Sequence, residues 1–102
     1  MADNNDSVLT DAEEAAFALD KAYQRAVDNA DLATMTQLKP QVEAAHEQYT
    51  QARLQLLQQG IVATDADVAE MRRIRAAIDQ AATTQTLIEG AMRFAAFIAK
   101  FV

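Results

Sequence analysis

The chain has no cysteine, no tryptophan, one proline and two glycines among its 102 residues. Without cysteine there is no disulfide scaffold, no thiol nucleophile and no thiolate-held zinc. With so little glycine and proline there is almost nothing to build hairpin turns or to stop helices. The two glycines, Gly60 and Gly90, lie thirty residues apart, so no glycine-rich phosphate loop exists. The absence of cysteine excludes a Cys-His nucleophile set, and with a single histidine no Ser-His-Asp set is proposed. No apolar run reaches the roughly 18 residues that a membrane span needs. The longest, Phe94 to Val102, is interrupted by Lys100. The first seven residues lack the basic and apolar regions of a secretory signal, so the expectation is a cytoplasmic protein.

What is present is helical. Alanine, glutamine and leucine are abundant, and no stretch alternates with period two over a strand's length. Net charge is −6 and uneven: residues 1–59 carry ten acids and four bases, residues 60–102 five of each. That balance argues against nucleic acid and against anionic lipid, and it suits solubility or a basic protein partner. The fold expected is all-α, a single helical domain over residues 1–102. It is a three-helix arrangement built on a long antiparallel, coiled-coil-like hairpin, and oligomeric.

Residues 1–9 read as a flexible polar lead. Thr10 with Glu13 three residues later is a capping-box pattern, so the first helix is expected at 11–28. Its buried face is Leu9, Ala12, Ala16, Leu19, Tyr23 and Ala26, with Phe17 off the stripe. Asp28 to Asp31 form a turn, and Asp31 is placed to cap the second helix, 32–59. Met35, Leu38, Val42, Ala45, Tyr49, Ala52 and Leu56 make a clean heptad there. Pro40 falls inside it and predicts a kink or a break. Gly60 fits the left-handed position that ends a helix, with Ile61 and Val62 tucking back as its hydrophobic contact. Thr64 or Asp65 opens the third helix, 65–101.

That last helix carries two apolar seams. Met71, Ile74, Ile78, Ala81, Gln85, Ile88, Met92, Ala95, Ala99 and Val102 step by three and four along one face. Leu87, Gly90, Phe94, Phe97 and Phe101 do the same along another. A helix apolar on two faces must be covered on both. An antiparallel second helix accounts for the first seam. Either the first helix, through Phe17 and Tyr23, or another chain covers the second. The leading reading is a second chain, most simply in a symmetric dimer. Gly90 leaves room for a close neighbour, and Gln85 is the one polar residue on the first seam, either an ordinary paired amide or a partner-specifying one.

Three patterns carry possible chemistry. Glu43 and His46 form the Glu-x-x-His spacing by which some bundles hold metal, with Glu13 or Glu14 as further ligands. A surface histidine beside surface carboxylates is the plainer reading. Arg72, Arg73 and Arg75 make a basic cluster, read as a salt-bridged face with Glu70–Arg73 and Arg75–Asp79 pairs before a phosphate or acidic-protein dock. Arg93 and Lys100 flanking Phe94, Phe97 and Phe101 allow a membrane-surface foot, though core or interface packing explains the stripe better. Thr83, Thr84 and Thr86 read as small packing residues. The expected function is therefore non-enzymatic and needs no cofactor. It is a helical protein–protein interaction or assembly module (adaptor, chaperone, neutralising or structural subunit) acting through the apolar C-terminal helix. Its interaction residues are Leu87, Gly90, Phe94, Phe97, Phe101 and Gln85, and its partner is a second copy or another helical protein. A small metal-binding bundle on Glu43, His46 and Glu13 or Glu14 is the alternative, and a peripheral membrane protein the third reading.

Overall fold

The computed structural model describes residues 3–58 and 60–102. It contains four helices where three were expected: α1 (Asn4–Asp28), α2 (Leu32–Gln58), α3 (Asp65–Asp79) and α4 (Thr84–Ile98). A single 3-10 turn, Ala99–Phe101, closes the chain. No strand occurs among the described residues.

The first difference from the sequence reading is at the N-terminus. The helix starts at Asn4, not at residue 11, because Asp3 caps it by accepting the backbone N–H of Asp6 at 2.8 Å. Thr10 is then a mid-helix residue. Val8 and Leu9, assigned to a flexible lead, are buried, Val8 completely. Met1 and Ala2, also assigned to that lead, lie outside the described residues. Asn4 and Asn5 explain why the early start holds. The Asn5 amide donates to the carbonyls of Leu56 (3.0 Å) and Ile61 (2.7 Å), and its oxygen accepts the Ala63 N–H at 2.7 Å. Asn4 donates to the Ala63 carbonyl and to Asp65. Two side chains thereby satisfy backbone groups at the end of α2 and in the loop between α2 and α3, groups that would otherwise lack partners.

The turn between α1 and α2 follows its sequence signals. Ala30 takes the left-handed conformation, φ 53°, and Asp31 N–H reaches back to the Ala26 carbonyl, a Schellman closure built without glycine. Asp31 caps α2 through Thr34, whose N–H and hydroxyl both donate to its carboxylate. Those hydrogen bonds, hydroxyl first, hold the Asp31 carboxyl below its ordinary value. The helix runs on through Pro40, which is exposed and, having no N–H, leaves the Thr36 carbonyl without its usual helical donor. The heptad from Leu38 to Leu56 is the buried face of α2, with Met35 and Tyr49 half-buried. Gln59, the expected last residue of this helix, is outside the described residues. Gly60 is left-handed, φ 73°, as its position implied. Ile61 packs on the core, but Val62 points to solvent and Ala63 takes its place inside.

The largest correction concerns residues 65–101. The helix stops at Asp79 and restarts at Thr84. Thr83 accepts the Thr86 N–H at 3.1 Å, and Thr86 accepts the Thr83 N–H at 3.2 Å, a reciprocal box that satisfies two orphan donors of the new helix. Breaking here lets α4 turn back against α3. Phe94, Ile98 and Phe101 reach the interior, each worth about 1.5–3 kcal/mol relative to exposure.

The resulting topology differs from the expected hairpin as well. α2 and α3 share no close backbone approach; α1 packs on α2 and α3, and α4 packs on α2 and α3. The four helices stand at the corners of a square, with α1 diagonal to α4. Thr34 and Thr84, the third residue of α2 and the first of α4, are 3.3 Å apart at their hydroxyls. These two neighbours are therefore parallel. The bundle measures 43 × 22 × 20 Å, shorter than the roughly 57 Å of one unbroken C-terminal helix.

Candidate functional site

The break at residues 80–83 redistributes the two seams. On α3 the first seam is inward: Met71, Ile74 and Ile78 are buried. On α4 the second seam is inward. Gly90, Phe94 and Phe101 are buried, and Leu87 and Phe97 are half-buried against the core. Phe97 meets Phe101 edge-on at 5.6 Å between ring centres. The residues assigned to a partner chain thus pack inside their own bundle, covered by α2 and α3. The first helix does not reach them through Phe17, which is 58% exposed beneath the Lys21 ammonium. Gly90 does have the close neighbour its missing side chain implied. A Cβ there would stand 2.9 Å from Ile78 Cγ1.

What remains outside on α4 is the first seam's continuation. Gln85, Met92 and Ala99 are exposed, and Ile88 and Ala95 are half-buried. Gln85 reaches Glu89 on its own helix at 3.4 Å. Beside this stripe runs the face of α2 turned away from α1. His46 and Tyr49 fix the α1 side of α2, so Gln41, Ala44, Gln48, Gln51 and Gln55 lie toward α4 and outward. The combined face of α2 and α4 holds glutamine, alanine, isoleucine and methionine, with exposed Glu47 beside Ala44.

The charged half of the molecule is elsewhere, and its groups tie helices together. Asp11, buried, accepts Arg75 at 2.9 Å and lies 3.7 Å from Arg72. Arg75 also reaches Glu14 and Asp79, the latter the i,i+4 pair read from sequence. Its guanidinium is held more firmly protonated than usual, by Glu14 first and then by Asp11. Glu70 accepts Arg73 and Arg93, each at 2.8 Å, and these bonds, Arg73 first, lower its carboxyl. Asp67 accepts the Thr64 N–H at 2.9 Å in the α3 capping box and pairs with Lys100 from the terminal turn. Burial raises the Asp67 carboxyl, but Lys100 and the Thr64 N–H outweigh it and leave the group below its ordinary value. Arg93 and Lys100 are therefore engaged on α3, and Lys100 further covers the Phe97 and Phe101 rings at 5.2 and 5.5 Å. No helix among the described residues is long and apolar enough to cross a membrane.

The Glu-x-x-His constellation is not assembled. His46 Nε2 meets Asp20 at 2.7 Å across the α1–α2 seam, a partner that spacing within one helix could not reveal. Glu14 is taken by Arg75, whereas Glu13 lies beside Tyr49, whose hydroxyl is raised by burial first and by Glu13 second. Glu43 is exposed, and among the described residues no three of His, Asp and Glu gather closely enough to share a metal ion. An open groove of about 750 Å³ lies between the second half of α1 and the α3–α4 turn, floored by Ala18, Ile78 and Leu87. Its rim charges Glu14 and Asp79 are those already held by Arg75. No protein-family model, curated protein or solved structure matches the chain, so its surface chemistry is the guide to what it does.

Proposed function

We propose that this chain is a non-enzymatic helical protein–protein interaction or assembly module, acting through the outward stripe of its C-terminal helix. The observation that carries the reading is the double amphipathicity of α4. The bundle interior absorbs the phenylalanine stripe, and the Gln85–Ile88–Met92–Ala95–Ala99 stripe is left at the surface. A second apolar stripe has no role in holding a self-sufficient bundle, but it suits a helix that meets a partner. Several charged side chains are engaged in helix-to-helix ties, Asp11 with Arg75 and Asp67 with Lys100 above all.

Site-specific photocrosslinking in a native extract tests this. A photoreactive side chain at position 92, on the stripe, is expected to capture a defined protein. The same group at Ala76, exposed on α3, is expected to capture none. Equal capture at both positions, or none at either, would sink the reading.

A further inference from the structure

We infer that the groove between α1 and the α3–α4 turn is a binding site for a small carboxylate with a compact apolar body. It lies apart from the outward stripe of α4 and is independent of the proposed function. The groove has a cause in the fold. Asn4 pairs with Asp65 and Glu14 with Arg75, each 61 residues on, so α1 and α3 run parallel and Asp79 stands level with Ala18. α3 stops there, whereas α1 continues ten residues to Asp28, about 15 Å. Beside that stretch the chain crosses in the turn at residues 80–83 and leaves about 750 Å³ open. Small-molecule sites are of this size, with apolar walls and a few polar groups.

The walls are apolar and incompletely covered. Ala18 and Ala22 keep the α1 side low, and Leu87 opposite is half-buried. Phe17 lines the rim and is 58% exposed. An apolar body lying in the groove would remove that surface from water.

The surrounding charges select the head group. Lys21 and Arg25 lie one helical turn apart on the groove wall. Among the described residues neither meets a carboxylate, whereas Arg72, Arg73, Arg75, Arg93 and Lys100 each do. Lys39 and Arg53 also lack one, but they line neither the groove nor the smaller recess beside it. Two cations at this spacing repel each other, and an anion between them removes that cost. The Lys21 ammonium is 4.7 Å from the centre of the Phe17 ring, so a head group held by Lys21 leaves its apolar body against the ring and the alanines. The Arg25 guanidinium offers a carboxylate two parallel donors. The carboxylates nearby are engaged or distant. Glu14 and Asp79 are held by Arg75, and Asp31 in the recess accepts Thr34. Glu13 precedes Lys21 by eight residues, about 12 Å along α1.

Titration of β-naphthoate into the isotope-labelled chain near neutral pH, followed by backbone amide chemical shifts, tests the inference. β-Naphthamide is the neutral isostere, and circular dichroism is the folding control. Naphthoate is expected to bind with a dissociation constant of about 0.1–1 mM, with shifts centred on Ala18, Ala22, Ala81 and Leu87. The amide is expected to bind at least about fivefold more weakly. The double variant Lys21→Gln, Arg25→Gln is expected to lose about tenfold for naphthoate and nothing for the amide, whereas Lys21→Arg stays within about twofold of wild type. Ala22→Leu fills the groove and is expected to abolish binding of both. If Ala22→Leu fails to fold, the charge variants and the amide still decide. Equal affinity for acid and amide overturns the choice of an anion. Shifts centred elsewhere, or no saturation below about 10 mM, overturn the site. Photocrosslinking at position 92 reads a different face, so this inference and the proposed function fail separately.

Discussion

Replacing Gly90 by alanine tests the approach of α3 and α4 that makes the bundle four-helical. In isolation the change should help, because alanine in a helix interior is favoured over glycine by about 0.8–1 kcal/mol. Here the new methyl would stand 2.9 Å from Ile78 Cγ1 and 3.8 Å from Ile78 Cα. Cγ1 is not the loose end of a flexible chain. Ile78 is β-branched, helical and 4% exposed, so its preferred rotamer is nearly fixed. Either the helices part or Ile78 leaves its rotamer, and overpacking of this kind costs about 1–3 kcal/mol. The balance is a net loss near 1 kcal/mol, or about 4–8 °C in melting temperature for a domain of this size. A double-mutant cycle isolates the cause. Ile78→Ala alone should lose about 2–5 kcal/mol through its cavity. Adding Gly90→Ala to that background should restore about 1 kcal/mol, since the obstructing atom is gone and helix propensity acts unopposed. The coupling is therefore about 2 kcal/mol, readable by urea denaturation of the four proteins. If Gly90→Ala stabilises the wild type as much as it stabilises the Ile78→Ala variant, the close α3–α4 contact is wrong.

Three further perturbations probe the parts that sequence reading missed or only half saw. Asn5→Ala removes the amide that satisfies Leu56, Ile61 and Ala63; a loss of about 1–3 kcal/mol in chemical denaturation is expected, and a change below a few tenths would show that water serves these groups equally well. Ala30→Gly relieves a left-handed alanine and should raise stability by about 0.5–1 kcal/mol, the strain relieved exceeding the freedom gained by the unfolded chain. The Asp67 carboxyl lies below its ordinary 3.8 when folded, so the unfolded chain binds that proton more readily. Its contribution is complete above about pH 4 and is lost as pH falls through the lower folded value. Asp67→Asn should accordingly be less stable than wild type at pH 7, by about 1–3 kcal/mol. The gap should narrow in melts taken toward pH 2, and a gap independent of pH would contradict the assignment.

Periodicity made much of this fold readable, and its failures have local causes. The heptad from Leu38 to Leu56 and the stripe from Leu9 to Ala26 predicted burial because each helix has one inward face. Asp31 and Gly60 were readable because capping and left-handed turns depend on residue type a few positions away. Asn4 and Asn5 were not, because their partners lie 51–61 residues on. No local rule distinguishes an asparagine that holds a distant loop from one in a polar lead. Separations of 26 and 33 residues likewise hide Asp20 from His46 and Lys100 from Asp67. The break at residues 80–83 contains neither glycine nor proline. Its one signal is Thr83 with Thr86, a capping box with threonine where glutamate or glutamine is usual.

That break also explains why two seams existed to be found. Along a straight helix, seams on different faces demand covering partners on different sides, and the phenylalanine stripe is the more apolar of the two. Folding at residues 80–83 frees α4 to choose its orientation independently of α3. It turns Phe94 and Phe101 inward and carries the Gln85–Ala99 stripe out. Burying the phenylalanine stripe is the stronger driving force, since its side chains remove more apolar area from water than alanine and glutamine do. The surviving stripe is thus the weaker one, rich in alanine and met by the glutamines of α2. Such a surface is too polar to force aggregation of the monomer.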